Sequence, residues 1–191
     1  MLNKKNFYID GRWTSPIEPR NYKVIDPSNE EPCAEISLGG KKDIDKAVSS
    51  AKKAFKSWAY SSKEERLDLL ERLYVIYKKR WAEMAKLITL EMGAPMKFST
   101  EMQAATGASH IKSFKNILKD FKFERDLGEE KNNQKLLYEP KGVCALITPW
   151  NWPINQVNLK VIPALASACT VILKPSEIAP LSSMLLAEMI D

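Results

Sequence analysis

The sequence predicts an α/β protein built on a parallel sheet, and three observations carry that reading. GVCALIT (142–148) and TVILK (170–174) are short apolar runs of the kind that fill a strand buried on both faces. A helix-compatible stretch, Ile154 to Ala168, lies between them, and Pro180 starts another helix that is still running at Asp191. Strand, helix, strand, helix is the opening of a right-handed parallel sheet.

The elements before that unit follow in order. FYIDGRWTSP, Phe7 to Pro16, is a β-rich run broken by Asp10-Gly11, a strong short hairpin signal. Short strands are expected at Lys23 to Ile25 and Cys33 to Ser37, with Pro27-Ser28-Asn29 turning between them. Ile44, Val48, Ala51, Phe55 and Trp58 recur at three- and four-residue spacing and predict an amphipathic helix. Ser62-Lys63-Glu64-Glu65 matches a capping box, and Leu67, Leu70, Leu73, Tyr77, Trp81, Met84 and Ile88 then continue one long helical face. Gly93 fits its C-cap, and Pro95 opens a third helix to about Leu118 with Met102, Ala105, Ile111, Phe114 and Leu118 inward. FKFERD and KLLYEP read as two strands joined by the polar loop from Gly128 to Asn133. The sequence shows no internal repeat and no low-complexity segment.

Composition narrows the function classes. The 191 residues are 45% apolar and 28% charged, which fits a globular protein. No window approaches the roughly 18 uninterrupted apolar residues of a membrane span, and MLNKKNFYID lacks the apolar core of a signal peptide. A cytoplasmic location is therefore expected. The net charge of +5 is spread among glutamates along helical patterns, with no basic stripe, which argues against nucleic acid. Three cysteines, far apart, and a single histidine, His110, offer neither a disulfide framework nor a metal-ligand spacing.

In an open α/β sheet, ligands bind beyond the carboxyl ends of the strands. Topology alone brings Thr148 to Asn151 and Lys174 to Glu177 to one edge of the sheet. Pro149 and Pro153 restrict the backbone on either side of Asn151, whose carboxamide is a neutral donor of the sort that stabilises an oxyanion. Lys174 supplies a cation and Glu177 an acceptor for hydroxyls, so LKPSE suits a ribose or a phosphate. The same residues also serve purely local ends, Asn as a turn residue and KPSE as helix-capping chemistry.

PWNWPINQVNLKVIPALASACTVILKPSEIAPLSS closely resembles a signature stretch of the aldehyde dehydrogenase superfamily. IDGRW, the turn at Ile25-Asp26-Pro27, Glu91-x-Gly93-x-Pro95 and Glu139-Pro140-x-Gly142-Val143 resemble that family's N-terminal landmarks, in its order. The resemblance spans essentially the whole chain and is most specific in its last 50 residues. It implies an NAD cofactor, with NADP as the other possibility, and a small-molecule aldehyde oxidised to a carboxylic acid. It also implies an incomplete Rossmann-like parallel sheet. Residues 1–120 would be the hairpin and helices of the cofactor-binding domain, 121–141 an oligomerisation arm, and 142–191 the first βαβα part of the NAD(P)-binding domain.

The resemblance also implies roles. Asn151 matches the oxyanion-holding side chain, and Lys160 a lysine assigned either a charge relay or a structural ion pair. Ile147, Thr148, Pro149 and Trp150 match the strand end along the nicotinamide, and Lys174, Ser176 and Glu177 the surroundings of the adenosine ribose. Trp152, Asn155, Gln156 and Leu159 match the wall of the aldehyde tunnel, and their aromatic and amide mix points to a small or polar aldehyde. The strands from Phe121 to Asp126 and Lys135 to Glu139 match the arm through which family members form homodimers or homotetramers.

Two departures stand out. Ala168 occupies a position where the family has glycine, a methyl the fold is expected to tolerate. The chain stops before the family's second cofactor loop, its general-base glutamate and its nucleophilic cysteine, and Cys33, Cys144 and Cys169 resemble none of these contexts. Two readings follow: the N-terminal portion of an aldehyde dehydrogenase, inactive alone, or a truncated fragment that serves only as a binding or interaction module.

Overall fold

The structure is a computed structural model that describes residues 1–128 and 134–191. Its N-terminal sheet is built from β1 (Leu2–Lys4), β4 (Asn21–Asp26) and β5 (Glu31–Ser37), in the order β1-β5-β4. β4 and β5 are antiparallel, whereas β1 joins β5 in parallel. β2 (Phe7–Tyr8) and β3 (Trp13–Thr14) form the expected hairpin. Its turn has φ of 59° at Asp10 and 68° at Gly11, the paired positive values that match hairpin twist.

Helices follow. α1 (Lys41–Trp58) lies against the later parallel strands, and Thr170 donates its hydroxyl to the Ala51 carbonyl at 3.0 Å. Its stripe is shallower than the periodicity suggests: Ala51 is buried, but Ile44 is exposed. α2 (Lys63–Lys79) opens on the reciprocal capping box, with Glu65 N to Ser62 Oγ at 3.1 Å and Ser62 N to Glu65 Oε2 at 2.6 Å. The single long helix expected next is two. Arg80, at φ −101° and ψ 16°, leaves helical geometry, and α3 (Trp81–Met92) restarts beyond it. Gly93 ends α3 in the left-handed conformation, as anticipated.

The third helical segment is not uniform either. α4 (Met96–Phe98) passes through a π-helical stretch, Ser99–Ala104, into α5 (Ala105–Asp120). The expected inward set is corrected here. Met102 is 49% exposed, and the residues that go in are Gln103, Ala104, Gly107, Ala108, Ile111 and Leu118. Counting back from Ile111 by three and four leads to Ala108, Gly107 and Ala104.

β6 (Glu124–Asp126) and β7 (Lys135–Leu137) pair antiparallel as an exposed two-stranded arm, and Gly128 leads into the polar loop that otherwise lies outside the described residues. β8 (Val143–Ile147), α6 (Pro153–Ala166), β9 (Thr170–Lys174) and α7 (Leu181–Ile190) complete the chain. β8 and β9 are parallel neighbours, and α1 and α6 both lie against them.

The main core joins Leu70 and Tyr77 of α2, Met84 and Ile88 of α3, Ile111 of α5, Ile154 and Val157 of α6, and Leu185 and Met189 of α7. α5 and α6 cross at Gly107, where an added Cβ would sit 2.4 Å from the Tyr77 hydroxyl. That hydroxyl donates to the Ala104 carbonyl at 2.9 Å, and Asn158 Nδ2 donates to the Gly107 carbonyl at 2.9 Å. Arg66, buried, donates to the last-turn carbonyl of Ala166 at 2.7 Å and so caps α6. Among the described residues, no helix is long and apolar enough to cross a membrane.

Candidate active site at the strand ends

Register places the site. Ile147 of β8 stands beside Lys174 of β9, and Thr148 N donates to the Lys174 carbonyl at 3.2 Å, one step past the ladder. The two loops the sequence singled out therefore leave the sheet at the same edge, side by side. Thr148 is buried beneath them. Ile147 is 70% and Trp150 52% exposed, so the strand end presents a large apolar surface where a ligand would lie.

Asn151 is exposed in a bend between Pro149 and Pro153. Pro153 occupies the first turn of α6, where its missing N–H costs nothing, and Trp152 at the N-cap, with φ −151° and ψ 72°, lies outside helical geometry. Gln156 N donates to the Trp152 carbonyl at 3.1 Å, which anchors the start of the helix directly after Asn151. Asn155 and Leu159 lie one turn apart on α6, and Gln156 and Lys160 lie one turn apart beside them. Lys160 is half-buried. Trp152 packs its ring against Phe98 at 5.7 Å between centroids, with its indole N–H buried.

On the second loop Lys174 Nζ meets Glu177 Oε2 at 2.8 Å in a partly exposed pair. The hydrogen bond from Lys174 holds the Glu177 carboxyl below its ordinary value. Ser176 is buried, and its hydroxyl accepts from Ile178 N at 3.2 Å, so this side chain shapes the turn while Lys174 and Glu177 face outward.

Three residues that sequence reasoning passed over support this edge. Glu91, fully buried at the end of α3, accepts from the backbone amides of Leu181 and of Ser182, the latter at 3.1 Å. A carboxylate thus sits on the N-terminus of α7 and fixes the far end of the Lys174–Glu177 loop. Burial, opposed by those amides, raises its pKa from 4.5 to about 7. Asn158 ties α6 to α5, as above. His110, the single histidine, holds Asn155: its Nε2 lies 2.7 Å from Asn155 Oδ1. Glu91 was legible only as part of a landmark, and the two α6 contacts join residues 45 and 51 positions apart, beyond any local pattern.

The cysteines are free. Burial pushes the thiols of Cys33 and Cys144 up, away from the thiolate a nucleophile needs. At Cys169 burial is outweighed by hydrogen bonds from the Gly142 and Lys141 backbone and the Ser167 side chain, which hold that buried thiol below its ordinary value. Among the described residues, no three His, Cys, Asp or Glu side chains cluster as metal ligands do.

With both loops at one edge, the chain is an α/β protein of the class that takes its ligand beyond the strand ends. Comparison with known proteins makes that class specific. The model of the aldehyde dehydrogenase family matches residues 13–191, and the chain belongs to that family. It is 46% identical over its full length to a 3-succinoylsemialdehyde-pyridine dehydrogenase from a Pseudomonas species, of which it covers 39%. It is 36% identical to a putative aldehyde dehydrogenase of Staphylococcus saprophyticus, again covering 39%. Among solved structures it superposes with a TM-score of 0.98 on an aldehyde dehydrogenase from Bartonella henselae, 54% identical, covering all of this chain and 40% of that one. An aldehyde dehydrogenase from Pseudomonas syringae, complexed with NAD+ and octanal, gives 0.93 at 40% identity, covering 97% of this chain and 38% of that one. The chain thus spans about two fifths of the relatives it matches, and it corresponds to their N-terminal portion.

Proposed function

We propose that the 191 residues are the N-terminal part of an NAD(P)-dependent aldehyde dehydrogenase and carry its oxyanion donor and half of its cofactor cradle. The side-by-side register of Ile147 and Lys174 is the observation that carries the reading, because it sets Asn151 and the Lys174–Glu177 pair along one edge.

At that edge the Asn151 amide donates to the oxygen of the aldehyde as a cysteine thiolate, from outside these residues, adds to the carbonyl carbon. The donor is neutral, so it favours the developing negative charge without holding an anion beforehand. The proline-bracketed bend keeps it in place and limits the reorganisation the reaction would otherwise require. Lys160, about two turns into α6, serves as a relay for charge or protons.

The exposed strand end fits a nicotinamide dinucleotide. Ile147, Pro149 and Trp150, supported by the buried Thr148, offer a largely apolar wall to the nicotinamide half. Lys174 and Glu177 offer a cation and an acceptor to the ribose, on a turn shaped by Ser176. When bound, the dinucleotide supplies the hydride acceptor. Trp152, Asn155, Gln156 and Leu159 line the approach of the aldehyde. The β6–β7 arm, exposed along both strands, suits pairing between subunits in a homodimer or homotetramer.

The deciding experiment replaces Asn151 in a family-length enzyme that contains these residues. Asn151→Ala should lower kcat by about 10²–10³ while leaving the KM for cofactor nearly unchanged. An unaltered kcat would reduce Asn151 to a turn residue. Residues 1–191 alone should give no NADH, since they hold neither nucleophile nor general base for the reaction.

Glu177 should set cofactor choice. Its carboxylate accepts from a ribose 2′-hydroxyl and repels a 2′-phosphate, so NAD is favoured. Glu177→Gln should raise the NADP-to-NAD ratio of kcat/KM by about tenfold, a difference of roughly 1.4 kcal/mol. An unmoved ratio would remove Glu177 from the cofactor site.

A further inference from the structure

The α5–α6 seam carries one polar contact beside the proposed aldehyde path. His110 Nε2 lies 2.7 Å from Asn155 Oδ1, and both side chains are half-buried. The amide oxygen can only accept, so Nε2 carries the proton and donates. With its oxygen engaged by the imidazole, Asn155 keeps its NH₂ as the group it can offer to anything lying beside α6. Leu159, one turn beyond Asn155 and exposed, adds apolar surface beside it. Asn155 lies in the first turn of α6, and Asn151 lies in the bend just before that helix begins.

From this geometry we infer that His110 is a positioning residue for substrate selection. By holding the Asn155 oxygen it turns the amide NH₂ toward the substrate path, and the enzyme prefers a short aldehyde whose far end carries a hydrogen-bond acceptor, a carboxylate above all. The inference rests on the aldehyde dehydrogenase reading and on Asn155 lining the approach. An apolar aldehyde of the same length leaves that NH₂ without an acceptor, and a site built around a fixed donor discriminates against such a ligand. Without His110 the Asn155 amide is free to turn, and the preference goes with it.

The test uses 5-oxopentanoate and pentanal, equal in chain length, on a family-length enzyme carrying these residues. Wild type should have the lower KM for 5-oxopentanoate. His110→Phe keeps a planar ring without a donor and should raise the ratio of the two KM values, acid over alkyl, by about tenfold, in KM rather than kcat. His110→Gln, whose side-chain NH₂ can still donate to Asn155 Oδ1, should restore the wild-type ratio. If His110→Phe does not fold, Asn155→Leu reads the same ratio from the other partner. In the wild type, the ¹⁵N resonances assigned to His110 should report a protonated Nε2, and Asn155→Leu should shift them. KM values that move together, a ratio that does not move, or no preference in wild type would each overturn the inference while the aldehyde dehydrogenase reading stands. A family-length enzyme that oxidises no aldehyde would overturn both.

Discussion

α6 belongs to two regions that could hardly differ more. One side of it completes the helical core, where Tyr77, Met84, Ile88, Ile111, Ile154 and Val157 are almost wholly inaccessible. Its N-terminal end, with the ends of β8 and β9, forms an edge where Ile147, Trp150, Leu159 and Ile178 remain exposed. The core is closed by elements within 191 residues. The edge belongs to a two-stranded sheet, too narrow to cover its own ends. Packing quality is thus spent on fixing where α6 starts, and the exposed groups around Asn151 inherit their positions from contacts made on the buried side.

That contrast can be broken most forcefully at Gly107. A Cβ there would meet the Tyr77 hydroxyl at 2.4 Å and Ile154 Cγ1 at 3.0 Å, so Gly107→Val must separate α5 from α6. Overpacking on that scale costs about 3 kcal/mol, and losing the Tyr77 bond to the Ala104 carbonyl adds about 1. Ile147→Ser, at the open edge, should stay within about 0.5 kcal/mol. Chemical denaturation of the two variants makes the comparison. Equal losses would mean that the edge is packed as tightly as the core.

Glu91 sharpens the contrast, because it sits in the core and serves the edge. Its pKa is raised in the folded state, so its contribution is fully present below the ordinary 4.5 and is lost as pH rises through about 7. The swing is on the order of 3 kcal/mol, set by burial against the pull of two α7 amides. Glu91→Gln removes the titration and keeps the shape. The wild type should therefore exceed the variant in Tm by most near pH 5, and the gap should narrow toward pH 8. A gap that widens with pH would show that the α7 amides outweigh burial and hold Glu91 as an anion.

How far the sequence revealed these features depends on the range of the interaction behind each. The Asp10-Gly11 turn, the Ser62–Glu65 box, the Gly93 cap and the β8–α6–β9 unit each follow a rule that acts within a few residues, and each stands where it was expected. Asn151 and Lys174 could be placed together because two parallel strands leave their ends at one edge whatever else the fold does. β1 could not be read, since LNK has no pattern of its own and owes its strand to β5 some thirty residues away. The break at Arg80 and the π-helical stretch interrupt a regular period with no local signal, and Met102 turns outward because the phase running back from Ile111 carries Ala104 and Gln103 inward in its place. Glu91 with the α7 amides and His110 with Asn155 join residues whose sequence neighbourhoods say nothing of each other.

The smallest effect concerns two residues in the same backbone conformation. Gly93 has φ 76° and Ala168 has φ 61°, both left-handed. At Gly93 a methyl would land 2.7 Å from Pro27 Cγ, so Gly93→Ala combines left-handed strain of about 1 kcal/mol with a steric conflict and should cost about 2. Ala168 already bears its methyl, buried at 3% exposure, behind the turn that joins α6 to β9. Ala168→Gly would relieve roughly 1 kcal/mol of left-handed strain. It would also remove a buried methyl worth about 0.8 kcal/mol and loosen the unfolded chain by about 0.5. These terms nearly cancel, and the variant should fall within about 0.5 kcal/mol of wild type. Glycine and alanine are then alternative solutions to one backbone requirement at this position. A gain above about 1 kcal/mol on Ala168→Gly would show that the methyl packs poorly and that the turn before β9 is strained.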